Sequence, residues 1–103
     1  NMSKMLRQAQ EMQKRMETVQ NELGEIVLDA DSGGGMVNVK INGNLELQEL
    51  NIKDEVFEEE KEMIEDLVIS AVNKGIAMAQ AKSKEKMDSV TGGMLSGLNI
   101  PGM

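Results

Sequence analysis

The chain reads as an α+β domain in the order α-β-β-β-α, a three-stranded antiparallel meander between two long helices. Three observations predict this. Met2, Met5, Ala9, Met12, Met16, Val19 and Leu23 form an apolar stripe spaced 3, 4, 3, 4, 3, 4, the seam of a helix that meets another helix. Alternating apolar and polar residues flank Asn42-Gly43, a strong hairpin signal. A broad apolar stripe from Met63 to Ala79 then recurs at helical spacing.

In the first helix Ser3 is the expected N-cap, and Gly24 stands where a C-terminal glycine belongs. The first strand is expected over Glu25–Asp31, with Ile26, Leu28 and Ala30 on one face. Ser32-Gly33-Gly34-Gly35 breaks it. The second strand, Met36–Asn42, places Val37, Val39 and Ile41 inward and Asn38, Lys40 and Asn42 outward. Leu45 and Leu47 differ in parity from Leu50 and Ile52, which predicts a bulge near Gln48-Glu49 or a strand apolar on both faces. Asp54–Phe57 reads as a turn, with Phe57 plugging the core. The second helix is expected from about Glu58 to Asp88. The domain is placed at residues 1–90, and residues 91–103, rich in Gly and Met and holding the single Pro, read as a flexible tail.

Composition limits the chemistry. The chain has 103 residues, no Cys, no His, no Trp, no Tyr, one Phe and ten Met. A core this poor in aromatics specifies packing weakly, so a second copy of the chain is expected to complete it. The interface is expected at Met5, Met12, Met16 and Val19 of the first helix and Ile64, Leu67, Val68 and Ala71 of the second. Without His or Cys, the common nucleophile systems lack their parts, so an enzyme is not expected. Gly33–Gly35 is not followed by the Lys-Ser/Thr of a phosphate loop. Asp29–Gly34 starts like a calcium loop, but Lys40 occupies the twelfth position, where a bidentate Glu is required. No metal, cofactor or small-molecule substrate is expected. No apolar run is long enough to span a membrane and the N-terminus lacks a secretory apolar region, so the cytoplasm is the expected location.

Charge is segregated. Asp54–Asp66 holds eight acids and one base and carries the whole formal net charge of −7. Asn1–Met16 has four bases against one acid, and Lys74–Lys86 likewise, so each sums to +3. Acids early in the second helix and lysines late in it also suit the helix dipole. A strand of about seven residues spans roughly 23 Å, whereas the helices span roughly 30 and 45 Å. Both basic segments can therefore overhang the sheet as arms, away from the acidic block.

The run Lys4–Gln13 (KMLRQAQEMQ), the hairpin Gly33–Gly43 (GGGMVNVKING) and Lys61–Ala71 (KEMIEDLVISA) resemble, in order, the motifs of the YbaB/EbfC family of bacterial nucleoid-associated proteins. Asn73, Lys84-Glu85-Lys86-Met87 and the Gly/Met-rich end also fit. The resemblance implies a tweezer-like homodimer with projecting helical arms. It implies loosely sequence-specific binding of double-stranded DNA, and roles in nucleoid organisation and gene regulation. Within the matched segments, charge selects Lys4, Arg7, Lys14 and Arg15 of the first helix and Lys82, Lys84 and Lys86 of the second as the DNA-binding set. Glu11, Glu17 and Glu85 interrupt these arms. The alternative reading is a helical dimer that binds a protein through its Met-rich or acidic surface.

Overall fold

A computed structural model describes the backbone of residues 1–98, with side chains through residue 92. Helix α1 spans Met2–Glu25, strands β1, β2 and β3 span Val27–Ser32, Val37–Asn42 and Leu47–Ile52, and helix α2 spans Lys61–Leu98. The strands form one antiparallel sheet in the order β1-β2-β3. The expected α-β-β-β-α architecture is therefore observed. The molecule measures 67 × 28 × 17 Å, with a radius of gyration of 19.6 Å. A compact chain of this length would give about 13 Å, so the helices extend well beyond a common body.

The caps of α1 differ from expectation. Asn1, not Ser3, caps the helix, its Oδ1 accepting from the Lys4 N–H at 3.0 Å. Asn is as good a cap as Ser and stands two residues earlier. At the other end Gly24 is still helical, and Ile26 caps with extended backbone, φ −79° and ψ 121°. The reason is tertiary. The Leu23 carbonyl accepts from Gly43 N–H at 2.8 Å, and the Gly24 carbonyl accepts from Asn42 Nδ2 at 3.3 Å. The β2–β3 turn thus satisfies the last carbonyls, and no left-handed glycine is required.

That turn also explains Gly43. Its Cβ, were one present, would lie 2.8 Å from both the Leu23 carbonyl oxygen and Leu23 Cδ2. The glycine is needed for close approach, while the left-handed backbone falls on Leu45, φ 65°. Asn42, expected to face outward, is buried and holds the turn together. In the β1–β2 turn, by contrast, Gly33, Gly34 and Gly35 all have positive φ, at 60°, 65° and 92°.

The sheet buries one face against α2. Val37, Val39 and Ile41 are 0–2% exposed, joined by Ala30 from β1 and by Ala71 and Ala79 from α2. Gly75 lies between those two alanines, and a Cβ there would come within 3.2 Å of Ile41 and 3.4 Å of Val39. A small-residue line at i, i+4, i+8 therefore lets the helix settle onto the strands. Ser32 fixes its start, donating its hydroxyl to the Leu67 carbonyl at 2.6 Å. Val39 pairs with Leu50, Lys40 with Glu49, but Ile41 with Leu47, leaving Gln48 as the extra residue of the anticipated bulge. Leu47, Leu50 and Ile52 consequently share the face of Val37, Val39 and Ile41.

Other expectations are corrected. Val56, not Phe57, plugs the core: it is fully buried, while Phe57 is 62% exposed. Asp54–Glu58 forms a 3-10 turn closed by the Glu59 N–H on the Val56 carbonyl. Neighbouring side chains in such a turn point about 120° apart, so only one of the two can face inward. Helix α2 begins at Lys61 rather than near Glu58 and continues to Leu98, past the residue at which the tail was expected to start. Residues 99–103 of that expected tail lie outside the described residues. Val19 and Ala71, anticipated at a dimer interface, are buried inside the protomer at 6% and 0% exposure. Leu67 and Val68 pack against the same core as partly buried neighbours. The helical seam is thus divided: its C-terminal end, Val19 and Leu23, packs within the chain, whereas Met2 and Met5 are exposed.

Candidate nucleic-acid interface

The two basic segments meet. The C-terminal half of α1 lies beside the C-terminal half of α2, so the two helices leave the sheet as one double arm. Between them runs an open groove of about 350 Å³ lined by Lys14, Arg15, Thr18, Val19, Glu22, Lys86, Ser89 and Val90. Cations from segments distant in sequence therefore converge on one surface. Lys4 and Arg7 stand further out on α1 and are exposed.

The lysines of α2 are already engaged. Lys82 pairs with Glu85 at 3.4 Å and Lys84 with Asp88 at 2.8 Å, both along α2. Lys86 crosses to Glu22 of α1 at 2.9 Å. Lys84 is raised above its ordinary pKa, chiefly by the hydrogen bond to Asp88 and then by that carboxylate's charge. All three pairs are solvent-accessible, and such pairs contribute little to stability. They hold the ammonium groups in place without removing them from solvent.

Sequence reasoning found the cations but not the groove. Glu22 and Ser89 carried no signal, because Glu22 and Lys86 are 64 residues apart and meet only through the fold. Among the described residues no cluster of His, Cys, Asp or Glu could hold a metal, and no helix is long and apolar enough to cross a membrane. The outward sheet face is polar, with Lys40 donating to Asp29 at 3.0 Å. That hydrogen bond, with the same carboxylate's charge, raises the Lys40 pKa.

The comparisons agree on one family. The profile of the YbaB/EbfC DNA-binding family matches residues 1–94. A nucleoid-associated protein of Legionella pneumophila (strain Corby) is 41% identical over 101 residues, covering 98% of this chain and 87% of the relative. A nucleoid-associated protein of Alkaliphilus metalliredigens is 42% identical over 104 residues, covering 100% and 88%. The fold is similar to the crystal structure of uncharacterized protein HP0035 from Helicobacter pylori, with a TM-score of 0.76 at 28% identity, covering 92% of this chain and 97% of that one. Motif order, fold and relatives converge: this chain belongs to the YbaB/EbfC DNA-binding family.

Proposed function

We propose that the protein is a non-enzymatic, homodimeric DNA-binding protein of the bacterial nucleoid. It contacts the phosphates of duplex DNA through its double arm and contributes to nucleoid organisation and gene regulation. The observation that carries this reading is the convergence of Lys14, Arg15 and Lys86 on one groove. The acidic start of α2 lies 25 residues before Lys86, roughly 37 Å along the helix. The molecule thus offers DNA a positive end and a repelling body. The proposed contacts are to phosphates, which carry no sequence information, so sequence preference is loose. The test is a salt titration of duplex binding. Log affinity is expected to fall linearly with log salt, with a slope of about −0.9 for each phosphate neutralised. A slope near zero rejects phosphate contact.

The dimer is proposed to close over β3. Leu47 and Leu50 are each 47% exposed on the sheet face that α2 covers only over β1 and β2. Ile52, Val68 and Val72 connect this strip to the core, making one apolar surface. The protomer's largest fully buried side chains are only Ile41, Val37, Val39 and Val56, and a second copy on β3 would enlarge that core. Ile64, half-buried on α2, stays in the proposed interface, and Met5, Met12 and Met16 join it where the arms of the two copies meet. The double variant Leu47→Asp, Leu50→Asp is expected to sediment as a folded monomer at micromolar concentration. A dimer of unchanged affinity places the interface elsewhere.

A further inference from the structure

We propose that the groove between α1 and α2 seats a backbone phosphate of bound DNA, and that Glu22 stands in for that phosphate until DNA arrives. The inference rests on the DNA-binding reading above. It adds a place on the surface and residues to which no role has been given.

The groove has the charge such a seat requires. Lys14, Arg15 and Lys86 line it against Glu22 alone, three positive charges less one negative, a balance of +2. Val19 and Val90 supply apolar wall beside the cations. Ser89 adds a hydroxyl. Thr18 does not donate, because its hydroxyl is committed to the Lys14 carbonyl at 3.0 Å.

Glu22 holds the position an incoming phosphate oxygen would take. Its Oε2 accepts from Lys86 Nζ at 2.9 Å, the geometry of a charge-assisted bond to any oxyanion. The pair differs from Lys82–Glu85 and Lys84–Asp88 in joining two helices across the groove. Lys86 is 32% and Glu22 50% exposed, so exchanging one oxyanion for another costs little. On binding, Lys86 Nζ leaves Glu22 Oε2 for a phosphate oxygen. The released carboxylate then lies beside the phosphate and repels it. Glu22 therefore keeps the affinity below what the cations alone would give.

The experiment compares the full chain with Glu22→Gln and Lys86→Gln in binding a duplex of mixed sequence over a range of salt. Glutamine retains an oxygen for Lys86, so the helix contact survives in the first variant, and thermal melting checks this. Glu22→Gln is expected to bind roughly two- to fivefold more tightly. Lys86→Gln is expected to bind more weakly, with a salt slope shallower by about 0.9. A strut that merely ties the helices together predicts the opposite for Glu22→Gln: equal or weaker binding and a lower melting temperature. That result overturns the inference. If the wild-type chain binds DNA and loses it on charge reversal in α1 while Glu22→Gln is neutral, the inference falls and the DNA reading stands. If the wild type does not bind at low salt, both fall.

Discussion

Replacing Arg7, Lys14 and Arg15 together by Glu is expected to lower duplex affinity at about 100 mM salt by at least roughly a hundredfold. The three side chains are exposed on α1. Reversing them changes the charge of Asn1–Met16 from +3 to −3, since each substitution changes it by two. Every phosphate contact they make is lost and replaced by repulsion at the same place. Folding should survive, because Glu and Arg have similar helix propensity and the core residues of α1, Val19 and Leu23, are untouched. Gel shift or fluorescence anisotropy reads the affinity, and circular dichroism with sedimentation confirms fold and assembly. A variant that keeps wild-type affinity removes α1 from the interface.

The second large effect is expected at Asn42, where an Ala substitution should cost about 3 kcal/mol in urea unfolding. Few residues here are so heavily used. Its Nδ2 donates to the Gly24 carbonyl at 3.3 Å and to Glu46 Oε1 at 2.7 Å, while its Oδ1 accepts the N–H groups of Asn44 and Glu46, each at 2.9 Å. Truncation leaves the Gly24 carbonyl and the Asn44 and Glu46 N–H groups without these side-chain partners in a part-buried setting. It also removes the brace that holds Leu45 at φ 65°, a conformation disfavoured by about 1 kcal/mol or more for a residue with a Cβ. A loss below about 1 kcal/mol would mean that water replaces these bonds. Asp is the instructive comparison: it keeps both acceptors, loses both donations and brings a charge against Glu46.

The fold was legible wherever local pattern and burial coincide. Alternation in β2 marks Val37, Val39 and Ile41 as inward, and the parity change in β3 allows a bulge near Gln48-Glu49 or a strand apolar on both faces, of which the bulge is observed. Errors arose where tertiary contacts override local signals. Asn42 alternates with buried residues and so reads as outward, yet the last turn of α1 draws it in. Phe57 is the larger apolar side chain, yet the 3-10 turn directs Val56 inward. The seven-residue seam of α1 reads as one continuous contact, but the protomer buries only its C-terminal end. The cations of the candidate site were visible as charge. Their convergence was not, because nothing local relates Glu22 to Lys86. The uncovered face of β3 was equally hidden, since it depends on which strands α2 lies across.

One consequence concerns Gln48. This residue contributes no apolar area, yet it determines which side of the sheet carries Leu50 and Ile52. Were Gln48 paired in the ladder instead of bulged out of it, Leu50 and Ile52 would turn among Asn38 and Lys40, and the leucine strip would lose its continuity. Greasiness is therefore encoded by one residue type and its address by another. Two chains of this family with the same leucines could differ in how they assemble according to whether this one polar residue bulges or pairs, a change that hydropathy averaged along the strand would not register.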